Sequence, residues 1–526
     1  MPNVEINGRT IAVEDGATVL QAAERLGVEV PYYCWHPALS IAGNCRMCLV
    51  EIEKVPKLQI ACNTRVTDGM VVKTTTERVA TAQKAVLEFL LLNHPIDCPV
   101  CDQAGECKLQ EYYMDFDRQR SRTALPAKVH KKKAIPIGPL VMLDQERCIL
   151  CARCTRFLDE ITHTSELAIY ERGDHCEIDL APGRTLDNPY SGNVVDICPV
   201  GALTNRDFRF HARVWYLERT PSICGACANG CNIEIYHREG QVYRFEPRHN
   251  ADVNQYWMCD VGRRSYRGLQ GEGRLLRPLV RDTNQFLPAT WENAIAAAAV
   301  RLRDLARAGG PGTVGIVVSA EAPNEEIFLL RAIARAIGAE VAGIAWSPED
   351  AVGDTFLVKA DKNPNTEGLR LQGVPIDGGE ALLAAAGRGT LGALVVHRAD
   401  LTRWGDRAAA CAALERVPYL VVLDAAQRES ASFANVLLPV ASYAESDGTF
   451  TNHARRVQRF HAAIAAPEEA RPGWRVLAEL AACLTGGAVF PDAAAVFAAL
   501  AVACRPFAGM SYETLGTGGL VASLEA

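Results

Sequence analysis

No run of about 18 uncharged apolar residues occurs in this chain, which argues against a membrane-spanning helix. Its opening stretch, MPNVEINGRTIAV, has neither the apolar core of an export signal nor the Arg/Ser-rich character of a transit peptide. A reducing compartment is therefore expected. No sign of charge dominates: 55 Lys and Arg stand against 62 Asp and Glu, and a net charge of -7 offers no broad footprint for nucleic acid. Internal repeats of about 20–50 residues are absent, which excludes a solenoid or propeller. No convincing G-x-G-x-x-G follows a strand-like run, so neither flavin nor NAD is expected on this chain.

What the chain does have is cysteine. Of nineteen, fifteen join one histidine in four groups of four before residue 260. These are Cys34, Cys45, Cys48, Cys62; His94, Cys98, Cys101, Cys107; Cys148, Cys151, Cys154, Cys198; and Cys224, Cys227, Cys231, Cys259. Without an export signal, clustered cysteines read as metal ligands rather than disulfides. Each group can hold one iron–sulfur cluster, so the chain reads as a row of redox centres.

The spacings differ in what they specify. The first group, C-x10-C-x2-C-x13-C, shares its central pair with plant-type [2Fe–2S] ferredoxins, and Gly43 and Asn44 can let the backbone approach a cluster. Zinc is the alternative there, although its usual two C-x2-C units are not both present. In the third group, Cys148, Cys151 and Cys154 match the start of the bacterial C-x2-C-x2-C-x3-C-P run, and Cys198-Pro199 matches the end of a second run. The other cluster of such a fold would need ligands at Leu158, Asn188, Ser191 and Val194, and all four are missing. A two-cluster ferredoxin fold with one [4Fe–4S] site is the expectation.

The second group, H-x3-C-x2-C-x5-C, takes His94 as the fourth ligand to a [4Fe–4S] cluster. Neutral imidazole in place of thiolate makes that site one charge less negative. The fourth group, C-x2-C-x3-C-x27-C, favours [4Fe–4S] but also fits tetrahedral zinc. Cys176, Cys411, Cys483 and Cys504 are isolated, and Cys411 and Cys483 in Ala-rich helical sequence read as small buried hydrophobes.

At 526 residues, with 49% hydrophobic and 22% charged, several domains are expected. Asn7-Gly8 between two short alternating runs signals a hairpin, and a helix is expected from Thr18 to a stop at Gly27. A second helix is expected from Ala82 to Leu92. Residues 118–139, with Pro126, Pro136, Pro139 and three consecutive lysines, read as a solvated linker. Beyond residue 290, helices at 291–308 and 324–337 alternate with apolar runs at Val314–Val318, Leu394–Val396 and Tyr419–Leu423, which suggests an α/β layer with parallel strands. The expected architecture is multidomain, α+β then α/β. It comprises a β-grasp [2Fe–2S] domain (1–78), a one-histidine/three-cysteine domain (79–117), the linker, a single-site ferredoxin domain (140–217), a fourth cluster domain (218–274) and a final α/β domain (275–526).

The segments YYCWHPALSIAGNCRMCLVE, NHPIDCPVCDQAGECKLQ, RCILCARCTRF and VDICPVGAL resemble the family of the large iron–sulfur subunit of respiratory complex I, NADH-quinone oxidoreductase. The later segments SAEAPNEEIFLLRAIARAIG and ANVLLPVASYAESDGTFTNHARRVQRF resemble molybdopterin-dependent formate dehydrogenases. The resemblance implies an electron relay in a proton-translocating enzyme. Electrons would come from a flavin- and NADH-binding subunit, enter at the Cys34 site, and pass to the Cys148 site and then the His94 site. They would leave to a ferredoxin-like two-cluster subunit, with the Cys224 site off that line. It implies other peripheral-arm partners, no nucleic acid, and a peripheral place on the bacterial cytoplasmic face of the inner membrane. The C-terminal domain would be a shortened relic without molybdopterin. Two other classes remain: the catalytic subunit of an NAD-linked formate dehydrogenase or iron-only hydrogenase, and a zinc-bearing scaffold.

Overall fold

The computed structural model describes residues 1–117, 127–376 and 378–523. The chain forms two compact units, Met1–Leu217 and Glu218–Ala526. Linker residues 118–126, Pro126 among them, lie outside the described residues.

The first unit opens with strands β1 (Asn3–Ile6), β2 (Arg9–Ala12), β3 (Leu49–Ile52), β4 (Gln59–Ile60) and β5 (Met70–Lys73), in sheet order β2-β1-β5-β3-β4. Asn7 and Gly8 both have positive φ, 51° and 80°, which is the twist a two-residue hairpin needs. Helix α1 (Val19–Arg25) is capped by a reciprocal pair: the Thr18 side chain accepts from Gln21 N while Gln21 returns to the Thr18 backbone. It buries Val19, Leu20, Ala22 and Ala23 on Val4, Ile6, Val50 and Val72 of the sheet. Parallel β1–β5 pairing beside antiparallel neighbours, with a helix across one face, is a β-grasp fold.

Helix α2 spans Glu77–Asn93 and starts five residues before the expected Ala82. Thr76 explains the difference: its side chain accepts from Val79 N and caps the helix. After the short helix α3 (Lys108–Tyr112), a small ferredoxin-like layer follows. Strands β6 (Ile135–Pro136), β7 (Val141–Leu143) and β10 (Leu203–Asn205) form one sheet, and β8 (Leu167–Tyr170) pairs β9 (Glu177–Leu180). Helix α4 (Arg153–Glu160) lies between.

The described part of the linker is not solvated throughout. Lys128 is buried, and Lys133 reaches Asp97 (3.2 Å), Asp144 (3.2 Å) and Glu146 (2.8 Å). Lys128 turns inward and Lys133, though exposed, is drawn onto carboxylates from other segments, while Lys132 stays exposed.

The second unit starts with a three-stranded antiparallel sheet, β11 (Glu218–Ile223), β12 (Asn232–Arg238) and β13 (Gln241–Pro247). A seven-stranded sheet follows: β14 (Leu279–Asp282), β15 (Gln285–Pro288), β16 (Val314–Ser319), β17 (Glu340–Ile344), β18 (Ala393–His397), β19 (Leu420–Asp424) and β20 (Val436–Pro439). Its order is β15-β14-β20-β19-β18-β16-β17, with β16 through β20 parallel. Every residue of β16, β18, β19 and β20 is buried, as expected when helices cover both faces. Helices Trp291–Gly309, Asn324–Ile337 and Gly473–Thr485 pack one apolar core, and Gly378–Gly387 and Arg407–Glu415 pack the other. A last small sheet joins β21 (Gly448–Thr451), β22 (Arg456–Phe460) and β23 (Leu520–Val521).

Two isolated cysteines depart from expectation. Cys411 is only half-buried, and Cys483, in the last turn of its helix, is exposed. Cys504 is the buried one, its thiol donating to Leu371 O at 3.3 Å.

Candidate iron–sulfur centres

Each of the four groups is drawn from loops and the ends of short elements. In the first, the loop between α1 and β3 supplies Cys34, Cys45 and Cys48, and the turn after β4 supplies Cys62. The thiols of Cys34, Cys45, Cys48 and Cys62 hydrogen-bond among themselves, which pulls the Cys34 thiol down and pushes Cys45 and Cys62 up. Gly43 at φ +61° turns the loop, with Ile60 Cδ1 3.1 Å from where a Cβ would sit. Asn44 plays a different part. Its Nδ2 donates to Leu150 O at 3.2 Å, inside the loop of the third group.

That third loop wraps tightly, with Leu150 and Ala152 both at positive φ. It carries Cys148 and Cys151, while Cys154 rides on α4 and Cys198-Pro199 returns from the other side. The four cysteines line an apolar cavity with Leu143, Ile149, Ile178 and Val200. Burial pushes the Cys148 and Cys198 thiols up to about 12. Four such thiols cannot ionise together in an apolar lining unless a cation compensates them, so metal loading would have to displace their protons.

The positions matching the missing second cluster are filled by the protein itself. Leu158, Ser191 and Val194 are fully buried, and Asn188 donates to Glu166 Oε1 at 2.9 Å.

The second group begins where α2 ends. His94 is its C-cap residue, Cys98 opens a short turn, and Cys107 immediately precedes α3. Burial drives the His94 imidazole down to about 4, so it is neutral at ordinary pH and able to ligate. Its Nδ1 is buried and finds no hydrogen-bond partner among the described residues. Burial also raises Cys101, and lifts Cys107 to about 11. Gly201, three residues after Cys198, passes so close that a Cβ there would stand 2.3 Å from Cys101 Sγ. Lys108 N donates to Pro199 O at 3.0 Å, a second tie between these groups.

The three groups of this unit border one apolar core. Tyr33, Cys34, Met47, Leu87, Leu109, Tyr112, Cys151, Val200 and Ala202 form it, with Cys45, Cys107, Cys148 and Cys198 packed against it. Polar rivets hold it shut. Arg153 donates to Trp35 O (2.6 Å) and Ile197 O (3.0 Å), and Arg156 donates to Cys34 O and Ser40 O. Arg147 grips Asp97 with two bonds of 2.9 and 2.6 Å. Sequence reasoning missed these arginines and Gly201. The signal for Arg153 and Arg156 was their spacing of three on the helix carrying Cys154.

The fourth group is a self-contained turn between β11 and β12 plus Cys259, the residue before the helix Asp260–Arg264. Cys224 N donates to Cys231 O at 2.8 Å, Asn229 Nδ2 to Cys231 Sγ at 3.1 Å, and Gly262 N to Cys259 Sγ at 3.3 Å. A Cβ at Gly262 would lie 2.9 Å from Cys224 Sγ. Later segments of the same unit cover the turn: Tyr443 packs on Gly225, and Asn452 and His453 bond to Asn229 O and Ala228 O. Among the described residues no three His, Cys, Asp or Glu side chains close tightly enough to chelate one bare ion. Buried soft donors, an orphaned imidazole nitrogen and glycines that clear room for sulfur nonetheless fit iron–sulfur groups.

Known families match segment by segment. Residues 2–77 match a 2Fe-2S iron–sulfur cluster binding domain, and 83–122 the NADH-ubiquinone oxidoreductase-G iron–sulfur binding region. Residues 138–204 match the ferredoxin-like domain of NADH-quinone oxidoreductase subunit 3. Among curated proteins, the chain is 42% identical over 323 residues to the mitochondrial NADH-ubiquinone oxidoreductase 78 kDa subunit of Candida albicans. It is 40% identical over 333 residues to the NADH-quinone oxidoreductase G subunit of Rickettsia conorii.

The chain is a homologue of these NADH oxidoreductase subunits.

The match covers 61% and 63% of this chain but only 44% and 49% of those two relatives, so it spans just under half their length. Past the ferredoxin-like region, residues 217–270 match a molybdopterin oxidoreductase Fe4S4 domain, and 274–368 and 365–483 match molybdopterin oxidoreductase. A solved NAD+-reducing [NiFe]-hydrogenase chain is 28% identical, with a TM-score of 0.37 over 40% of this chain and 91% of its own. No helix among the described residues is long and apolar enough to cross a membrane.

Proposed function

We propose that this chain is the iron–sulfur relay of an NADH-quinone oxidoreductase, with the sixteen side chains of the four groups as cluster ligands. One [2Fe–2S] cluster belongs to Cys34, Cys45, Cys48 and Cys62, and [4Fe–4S] clusters belong to the His94, Cys148 and Cys224 groups. Clusters bound there supply one-electron transfer, in the order Cys34 site, Cys148 site, His94 site. The single observation that carries this reading is the apolar core shared by the first three groups. It excludes water between the sites, and the Arg153 and Arg156 bonds hold the Cys34 and Cys154 loops at a fixed separation.

The proposed donor is a flavin- and NADH-binding subunit, and the proposed acceptor a ferredoxin-like subunit with two clusters, within the peripheral arm of complex I. That arm would face the bacterial cytoplasm. The fourth group has surroundings of its own in the second unit and takes no place in the line.

The second unit is proposed to bind no molybdopterin. Beyond the carboxyl ends of its parallel strands lies a cavity of ≈ 190 Å³ lined by Arg274, Arg398 and Arg428. Each guanidinium is already committed to a carboxylate: Arg274 to Glu445 (2.7 Å), Arg398 to Glu326 (2.7 Å) and Arg428 to Glu321 (2.6 Å). An anionic dinucleotide cofactor would have to break these pairs to bind.

His94→Ala tests the ligand assignment. The expected result is loss or conversion of one [4Fe–4S] signal in low-temperature EPR, with the other clusters intact. Unchanged spectra and unchanged quinone reductase activity would overturn ligation by His94.

A further inference from the structure

Where α2 stops and the second group begins, the chain must solve a local problem. The last carbonyls of a helix lack intrahelical donors, and the residue after His94 is Pro95, which has no N–H to give. Lys128 solves it from a distance. Its ammonium donates to Leu91 O at 2.9 Å and to His94 O at 2.6 Å, bracketing the end of the helix and the ligand residue itself. The next residue adds a third bond, Val129 N to Asn93 Oδ1 at 3.1 Å. Lys128 is only 8% exposed, and no carboxylate pairs with it among the described residues. A buried lysine without an acid is costly unless its charge is used. Here the charge faces the negative end of a helix and the backbone of the one ligand that is not a thiolate.

We propose that Lys128 is a positioning residue for the second cluster: it fixes His94 in place and holds a positive charge beside the site, raising that cluster's midpoint potential. The inference rests on the ligand assignment made above for His94. Charge near a cluster and hydrogen bonding around its ligands are the levers by which a protein sets such potentials. A positive charge favours the more negative, reduced form, so removing it must lower the potential. The other lysines of the segment are placed differently: Lys131 donates to Cys176 O, Lys132 is exposed, and Lys133 is neutralised by Asp97, Asp144 and Glu146. Lys128 is the lysine of this run whose charge is bonded to the histidine's own carbonyl.

The experiment is a potentiometric EPR titration of the full chain, reconstituted with iron and sulfide, as wild type, Lys128→Met and Lys128→Arg. Methionine keeps the length and apolar stem of lysine but neither charge nor donors. Lys128→Met is expected to lower the midpoint potential of the His94 cluster alone, leaving the other three where they were, and Lys128→Arg to restore it close to wild type. A Lys128→Met protein with full iron and an unshifted His94 cluster would overturn the proposal. So would a shift that Lys128→Arg fails to reverse, because that points to lysine-specific packing rather than charge. If the wild-type chain lacks a signal that His94→Ala removes, the ligand assignment has failed, and the titration reports that separately.

Discussion

Cys151→Ser should cut the relay in the middle. The substitution is nearly isosteric, and Cys151 is 8% exposed in a loop held by Arg153 and Asn44, so the fold is expected to survive it. What changes is the donor: a hard hydroxyl replaces a soft thiolate that iron–sulfur groups require. Cys34 lies near enough to Cys151 to oppose its ionisation, which places Cys151 on the side of the third group facing the first. The expected result is loss of one [4Fe–4S] signal and a fall of NADH-to-quinone electron flow to background in the assembled complex. The [2Fe–2S] signal should still appear on reduction. Cys411→Ser, at a half-buried helix position remote from every group in sequence, should leave all signals and the rate unchanged. Full electron flow in Cys151→Ser would remove the third group from the line.

The second large effect is expected from a residue that ligates nothing. Gly201→Ala adds one methyl group, whose carbon would start 2.3 Å from Cys101 Sγ and 3.1 Å from Gln103 Cβ. Contacts of that kind force backbone or side chain to move, at a cost of about 1–3 kcal/mol in a packed core. Cys101 is the thiol in the way, so the displacement falls on the His94 group while the mutated residue sits beside Cys198. The prediction is a lost or altered His94-group EPR signal, a smaller change in the Cys148-group signal, and lower thermal stability. Gly268→Ala, where nothing lies within 4 Å of the added carbon, is the matched control and should behave as wild type. An unperturbed His94 signal in Gly201→Ala would mean that the two groups are not in contact through this turn.

The groups were legible as candidates because C-x2-C-x2-C keeps three thiols within a few residues of one another along the chain, so a single loop can present them together. The Asn7-Gly8 hairpin and the Thr18 cap were legible for a similar reason, each being decided by three or four neighbouring residues. The parallel strands announced themselves by burial on both faces, as in Ala393–His397. What could not be read was long-range. Lys128 looked like part of a solvated run because sequence alone does not show that the carbonyls of residues 91 and 94, over thirty positions away, would point at it. Arg156 bonding to Cys34 O spans 122 residues. Cys483 was misplaced because a helix pattern shows which face is apolar but not how far its last turn projects past the body it packs on.

The central claim is that these groups hold iron and sulfide in four clusters. Iron, sulfide and zinc content of the full chain, measured with low-temperature EPR after anaerobic reduction, tests it most directly. The account predicts about 14 irons per chain, from one [2Fe–2S] and three [4Fe–4S] cores, with one rhombic [2Fe–2S] signal beside distinct [4Fe–4S] signals. Stoichiometric zinc with no cluster signals would contradict it and leave the chain a scaffold.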